Sequence, residues 1–194
     1  RSRGLGDVYK RQEFTLEGIS NIQGDFQCID YFYVKEFVMP FIRVAGDMTI
    51  ALNSGSVNTA AEIEFPKLQE IGGTLTLGTN RNANNITFPL LKKILGSCSV
   101  TTYKLKNDIE FTNLESIGTD GADAQIKFEI EATNILCPKL KTINGKFDIA
   151  TSSFMFDMEV DKVSYPNVES ISENLSITSV SYTHLRAHET DQYL

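Results

Sequence analysis

An internal repeat that keeps its prolines at one position constrains the fold of this chain more than any other feature. Residues 65–77 read FPKLQEIGGTLTL, and residues 88–100 read FPLLKKILGSCSV. The pattern starts seven times, at 16, 39, 65, 88, 111, 137 and 165, so the spacings run from 23 to 28 residues. All five prolines fall at one phase of the repeat. Proline fixes φ and suits a corner, and the glycine found at a later phase permits positive φ or close backbone approach.

The residues after the glycine alternate between apolar and polar, which is typical of a short strand buried on one face. In the copy at 65–77, Leu75 and Leu77 alternate with Thr74 and Thr76. A copy of this length is too short for two helices and a turn, so we expect each copy to form one coil of a solenoid. The sequence therefore predicts a mainly β fold, a parallel β-solenoid of about seven coils of 23–28 residues, with neighbouring strands about 4.8 Å apart.

Two columns of apolar residues are expected to fill the interior of the coils. The first column is Ile22, Val44, Ile71, Ile94, Ile117, Ile143 and Ile171. The second column is Phe26, Met48, Leu75, Cys98, Phe147 and Leu175. Cys28 and Cys137 also fall at inward phases, in coils too far apart for a disulfide, so all three cysteines are predicted to be buried free thiols.

Both ends of the chain are predicted to be foreign to the fold. Back-translation of residues 2–12, read on the opposite DNA strand, encodes residues 180–190. The shared DNA resembles the transposon-end adapter used in sequencing-library preparation. Residues 1–12 and 180–194 are therefore interpreted as adapter-derived tails.

The natural segment is then predicted to be 13–179, a single repeat domain and a fragment of a longer protein. The only two histidines, His184 and His188, lie four residues apart, which on a helix would suit a metal ion. Because they belong to the C-terminal tail, no metal site is predicted there.

Composition narrows the classes of partner. The chain carries a net charge of −7, and the two tails taken together are net positive, so the segment between them is more acidic still. Its only arginines are Arg43 and Arg81. This disfavours binding to nucleic acid or anionic lipid, both of which need clustered basic residues. The segment also has no histidine and no apolar run long enough to span a membrane.

The pattern resembles the receptor L-domain family of leucine-rich-repeat-related domains. It is closest to cell-surface relatives in fungi and bacteria that repeat FPxLxxIGGxLxI, which 65–77 matches nearly residue for residue. The resemblance covers about 16–177 and implies a right-handed β-solenoid. It also implies a non-enzymatic, extracellular or cell-surface protein that binds or adheres to a protein or glycan and is surface-anchored at full length. The cysteine-rich modules that flank receptor L domains are absent here, so the resemblance does not extend to a signalling receptor.

The candidate ligand-binding residues are polar and alternate with the second apolar column, so they are expected on the outer face of one sheet. They are Gln27, Thr49, Thr76, Ser99, Lys127 and Asp148. Tyr31 and Tyr33, in the connection between the first two coils, are added because loop aromatics suit sugar or protein contacts. The alternatives are a plain solvated face and aromatics that cover the side of the core.

Other functions remain open on the sequence. Asp25 and Asp47 follow the repeat glycine in adjacent coils, and a close carboxylate pair could serve a carbohydrate-active β-helix enzyme. No Arg, Lys or His column accompanies them, which favours solvated turn residues. Asp120 and Asp123, in an insertion, are too few for a calcium loop. A structural spacer that presents a neighbouring domain is the remaining option. We predict no enzyme activity, catalytic residue, metal or cofactor.

Overall fold

The computed structural model describes residues 12–15, 18–30, 34–53, 61–80, 83–101, 109–121, 123–130, 135–153 and 165–181. The strands in these ranges, numbered in chain order, are β1 Gln12–Thr15, β2 Asn21–Ile22, β3 Phe26–Asp30, β4 Val34–Val38, β5 Arg43–Val44, β6 Met48–Asn53, β7 Ala61–Glu64, β8 Glu70–Ile71, β9 Leu75–Asn80, β10 Ala83–Thr87, β11 Lys93–Ile94, β12 Cys98–Thr101, β13 Ile109–Glu110, β14 Ser116–Ile117, β15 Ala124–Ile130, β16 Ile135–Leu136, β17 Thr142–Ile143, β18 Gly145–Ser153, β19 Ser170–Ile171 and β20 Leu175–Ser181.

The strands form three parallel sheets whose order follows the repeat. Sheet A has six strands in the order β1-β4-β7-β10-β13-β16. Sheet B has seven short strands, β2-β5-β8-β11-β14-β17-β19, and sheet C has seven longer ones, β3-β6-β9-β12-β15-β18-β20. Each copy of the repeat contributes one strand to sheet B and one to sheet C. The protein is thus a parallel β-solenoid, which confirms the predicted fold class.

Strand register reproduces the phase of the repeat. In sheet B, Ile71 pairs with Ile94 and with Val44. In sheet C, Leu75 pairs with Met48 on one side and Cys98 on the other. In a parallel sheet, in-register partners project to the same face, so the two predicted apolar columns lie inside the coil.

A tight turn explains the proline phase at the corner between sheets A and B. The Leu68 N–H donates to the Phe65 carbonyl at 3.4 Å, and Leu91 donates to Phe88 in the same way. Proline follows the first residue of each turn, where its fixed φ suits the second position of a β-turn and its missing N–H costs nothing. The fifth copy keeps the turn with Thr112 in place of proline.

The core contains a stack of phenylalanines along the rod. The rings of Phe65 and Phe88 lie 4.9 Å apart and nearly parallel, and Phe88 and Phe111 lie 5.0 Å apart. All are fully buried. Ring pairs of this kind stabilise a core by about 0.5–1.5 kcal/mol beyond the area they bury. In the next copy the phase is occupied by Cys137, which ends the stack.

The inward columns are buried in the middle of the rod but not at its ends. Leu175 is predicted to be inside, yet its side chain is 52% exposed, because β20 is the last strand of sheet C. Ile22 and Phe26 at the other end are half-buried. The interior prediction is therefore wrong for Leu175, and it is only partly met by Ile22, Phe26 and Ile171, which are half-buried and pack against the core.

The predicted tails fall mostly outside the described residues, and so do His184 and His188. The boundary residues are exceptions: Gln12 begins β1, while Val180 and Ser181 end β20 and pair with Ser152 and Ser153. The assignment of 1–12 and 180–194 as adapter-derived tails stays a prediction.

Candidate functional site

The candidate binding face is the outer face of sheet C. Its central column consists of in-register partners: Gln27, Thr49, Thr76, Ser99, Lys127, Asp148 and Ser176. Thr49 and Ser99 are half-buried and the other members are exposed. The structure therefore brings the six predicted sheet residues together in one line, about 4.8 Å apart from strand to strand.

A second column on the same face lies two residues further along each strand, and sequence reasoning missed it. It includes Ala51, Gly78 and Thr101, which pair in register, and Ala150 further along the sheet. Strand alternation places it on the outer face, but Ala51, Gly78 and Ala150 carry no polar signal of a site. Ala51 and Gly78 keep the surface low on these two strands, whereas the same column continues into Ile29 at one end and Glu129 towards the other.

Charge divides the central column into two parts. Thr49, Thr76 and Ser99 form a neutral hydroxyl segment, and each hydroxyl can both donate and accept a hydrogen bond. Lys127 and Asp148 are paired across neighbouring strands, so opposite charges lie side by side on the exposed surface. The face thus offers a polar ligand both hydroxyl contacts and charges of either sign.

The outer face of sheet B is a poorer candidate because it is narrow and its charges engage each other. Its strands are two residues long, whereas β6 has six residues and β18 has nine. The Arg43 Nε atom lies 2.8 Å from the Glu70 carboxylate. Lys141 and Glu169 lie 3.9 Å apart on the same side of the rod.

The two tyrosines added to the candidate site, Tyr31 and Tyr33, lie outside the described residues. They follow β3 in the chain, and β3 is the strand that carries Gln27. Their part in a site stays a prediction. Ile29, at an outward position of the same strand, is 54% exposed and adds an apolar contact at this end of the face.

Asp25 and Asp47, the candidate catalytic pair, bind the backbone of the next coil. The Asp47 N–H donates to Asp25 Oδ1 at 2.8 Å, and the Thr74 N–H donates to Asp47 Oδ1 at 2.7 Å. In the fourth copy the Ser97 hydroxyl accepts from the Gln125 N–H in the same way, at 3.0 Å. One oxygen of each carboxylate is thereby committed to joining adjacent coils, which is a structural role.

The repeat glycines make room for these side chains. A Cβ atom on Gly46 would overlap Asp25 Oδ1, and one on Gly73 would overlap Asp47 Oδ1 and the Gly46 backbone. At Gly96 the overlap would be with the Gly73 backbone. Close approach therefore explains these three glycines, and at Gly145 close approach to the Ala124 backbone and a positive φ of 150° both apply.

Among the described residues, the groups with shifted pKa values lie in the core and not on the candidate face. Burial raises the pKa of Cys98 from 9.0 to about 12. Burial, with a smaller effect of Cys98, raises the pKa of Cys137 well above its ordinary value. A thiol that stays protonated is a poor nucleophile and a poor metal ligand, so both act as small apolar residues.

Tyr165 also belongs to this part of the core. Burial is the main cause that raises its pKa, with smaller effects of Cys137 and Cys98. Its hydroxyl is buried, and within the described part of the chain it has no hydrogen-bond partner. Its ring packs at 5.5 Å from Phe147, so the aromatic ring contributes to packing while the hydroxyl does not.

The insertion in the fifth copy forms a surface turn. Gly118 and Gly121 adopt positive φ of 80° and 76°, which glycine allows at little cost. Asp120 and Asp123 are both exposed. Among the residues that the structure describes, no group of three or more His, Cys, Asp or Glu side chains is placed to hold a metal ion.

Comparison with known proteins finds no counterpart. No protein-family model, no curated protein and no solved structure matches the chain. Within the described ranges, the search for a helix long and apolar enough to cross a membrane finds none.

Proposed function

We propose that this chain is a non-enzymatic binding or adhesion module of the receptor L-domain type, which recognises a protein or glycan through the outer face of sheet C. The observation that carries the proposal is the in-register column Gln27, Thr49, Thr76, Ser99, Lys127 and Asp148. Repeat proteins commonly bind through the face that their repeats generate, because the same geometry recurs at every coil.

The chemistry of the column favours an extended polar ligand. Hydroxyls repeated about every 4.8 Å offer many similar donors and acceptors, each of modest strength. Ala51 and Gly78 keep the adjacent surface low, so a flat ligand can approach the Thr49 and Thr76 hydroxyls without steric hindrance. A glycan chain, or an edge of a protein surface, has this combination of flatness and hydrogen-bonding groups.

The hydrogen bonds of Asp25 and Asp47 favour a binding function over a catalytic one. Each carboxylate accepts a backbone N–H of the next coil, so it is tied to the fold at a turn. The described groups with raised pKa values, Cys98, Cys137 and Tyr165, lie in the core. A general acid or base needs a tuned group in reach of substrate, which these residues do not supply.

The location is proposed on the resemblance of 65–77 to cell-surface repeats. An acidic chain with few arginines fits an extracellular partner that is neither nucleic acid nor anionic lipid. We further propose that the full-length protein is anchored at the cell surface.

Binding to a glycan array, and to insoluble cellulose and chitin, tests the proposal directly with the full chain. The Thr76→Arg variant places a bulky charge in the hydroxyl segment and is expected to weaken binding about tenfold or more, or 1.4 kcal/mol. Gln69→Arg is the matched control, because Gln69 is also exposed but lies beside sheet B.

Equal loss in both variants, or no retention on any of these probes, would contradict a glycan-binding face on sheet C. Release of reducing sugar from the polysaccharides by the unmodified chain would instead favour the enzyme alternative.

A further inference from the structure

The last strand of sheet C presents core-type side chains to solvent. Leu175 is 52% exposed and Ile177 is 69% exposed. Their in-register partners one strand earlier, Phe147 and Ile149, are only 2% and 4% exposed. The difference arises because β20 is paired on one side only.

The opposite end of the rod presents the same phases of the repeat. Ile22, Phe26 and Cys28 are half-buried, while their partners Val44, Met48 and Ile50 are fully buried. Ile22 is the first-copy equivalent of Ile171, Phe26 of Leu175 and Cys28 of Ile177. The two ends are therefore apolar at matching positions.

The backbone groups at the two ends are complementary. Inside the rod, the Phe26 N–H donates forward to the Asp47 carbonyl, and the Phe147 N–H donates forward to the Asn174 carbonyl, both at 2.8 Å. By the same pattern the Leu175 N–H points away from the rod at one end, and the Asp25 carbonyl points away at the other. Parallel ladders add strands without limit when such edges meet.

A second set of hydrogen bonds runs in the opposite direction. The Ala45 N–H donates back to the Ile22 carbonyl, and Ser172 donates back to Ile143. The outward groups at the ends are then the Ile171 carbonyl and the Gln23 N–H. Both directions of hydrogen bonding are thus matched between the C-terminal end of one rod and the N-terminal end of another.

No like charges meet at the same phase of the two ends in sheets B and C. The exposed acidic residues at the C-terminal end, Glu169 and Glu173, fall at the phases of Ser20 and Gly24 in the first copy, which are neutral. Asn174 falls at the phase of Asp25, whose Oδ1 atom accepts the N–H of the next coil. The Asn174 carboxamide oxygen can accept the Asp25 N–H of a second copy in the same geometry.

We propose that copies of this chain associate end to end, with β20 of one copy pairing in parallel with β3 of the next. The contact repeats the one between neighbouring coils inside the rod, in register, apolar phases and hydrogen bonding. It is heterologous, because the two ends are different surfaces, so it forms open rods of increasing length and not a closed dimer.

Sedimentation velocity of the full chain across a range of concentrations tests the association. We expect a concentration-dependent series of species, and we expect Leu175→Lys or Ile177→Lys to raise the dissociation constant at least about tenfold. Leu90→Lys is the matched control: Leu90 is 42% exposed but lies in the middle of the rod. Circular dichroism establishes that each variant remains folded.

Thiol bridging tests the register. Ile177→Cys would stand one strand spacing, about 4.8 Å between Cα atoms, from Cys28 of the next copy, which is within disulfide reach. Oxidation, or the short thiol-bridging reagent dibromobimane, is expected to give covalent dimers and longer species. Adding Cys28→Ser should abolish them.

A chain that stays monomeric at its highest soluble concentration overturns the proposal. So does association that Leu175→Lys and Ile177→Lys leave unchanged, or bridging of the unmodified chain through Cys28 alone, which would place two N-terminal ends together. Absence of bridged species in the Ile177→Cys variant overturns the proposed register.

Discussion

The Asp25 carboxylate occupies the space that a side chain at Gly46 would need. The same relationship recurs one coil later between Asp47 and Gly73. The aspartate side chain in one coil therefore fits only because the next coil has a glycine at this position. In that space the carboxylate accepts a backbone hydrogen bond that joins the neighbouring coils.

Substitution of two glycines nearby in the chain is expected to have opposite effects. Gly73→Ala forces a Cβ atom against Asp47 and the Gly46 backbone, so we expect a loss of about 1–3 kcal/mol in the free energy of unfolding. At Gly78 an added Cβ atom meets nothing within 4 Å. Gly78→Ala is expected to be neutral or to stabilise by up to about 1 kcal/mol. Urea unfolding of both variants measures this, and equal destabilisation would count against close approach as the reason for Gly73.

The hydrogen bond from Thr74 to Asp47 gives a second prediction. Asp47→Ala removes the acceptor of the Thr74 N–H and should lower the free energy of unfolding by about 1 kcal/mol. Asp47→Asn keeps an oxygen at the same place and should be close to wild type. Asp148→Ala, at an exposed strand position, is the control. If Asp47→Asn and Asp47→Ala lose the same stability in urea, then charge and not the hydrogen bond matters there.

The ring and the hydroxyl of Tyr165 are expected to contribute differently to the stability of the fold. Tyr165→Phe removes a buried hydroxyl that has no partner among the described residues, so stability should be unchanged or higher by up to about 2 kcal/mol. Tyr165→Leu loses the ring contacts with Phe128 and Phe147 and should destabilise. Thermal unfolding followed by circular dichroism distinguishes the two variants. A destabilised Tyr165→Phe would reveal a partner for the hydroxyl.

Alkaline pH should destabilise the fold through its buried thiols. The pKa of Cys98 is 9.0 in its ordinary state and about 12 when buried, so above pH 9 the unfolded chain loses a proton that the folded chain keeps. The contribution of this thiol to stability is therefore constant below about pH 9 and is lost above it, by up to about 1.4 kcal/mol per pH unit for each such group. Cys137 acts in the same direction.

Urea unfolding between pH 7 and pH 11 measures this fall, and Cys98→Ala is expected to make it less steep. The comparison is between slopes, so a uniform loss of stability from the smaller side chain does not affect it. Identical slopes in the variant and the unmodified chain would show that other groups cause the alkaline loss.

The repeat predicted the parallel solenoid because its prolines and its alternation of apolar and polar residues both constrain the backbone conformation. The corner turn at Phe65–Leu68 and the register of Leu75 with Cys98 both follow from the phase of the pattern. The outward column of Thr49, Thr76 and Ser99 follows from the same alternation.

What the pattern could not supply depends on neighbours in space. It marks Leu175 as inward but does not say whether anything packs against it, and in the structure it is 52% exposed. It placed the Asp25 and Asp47 carboxylates close together in adjacent coils but did not predict their hydrogen bonds to the next coil. It also missed Ala51 and Gly78 on the candidate face, because small residues occur both on binding surfaces and in turns, and the sequence pattern does not distinguish the two.

In the described part of the chain, the hydrogen bonds that join one coil to the next span about one repeat: Asp25 and Asp47 are 22 residues apart, and Asn167 and Pro138 are 29. The length of the rod is therefore independent of its cross-section. A gene that duplicates or deletes one whole copy changes how far the protein reaches, while the remaining coils keep their partners. The hydroxyl column would lengthen or shorten with it, so the length of the rod and the number of binding positions on its face change together.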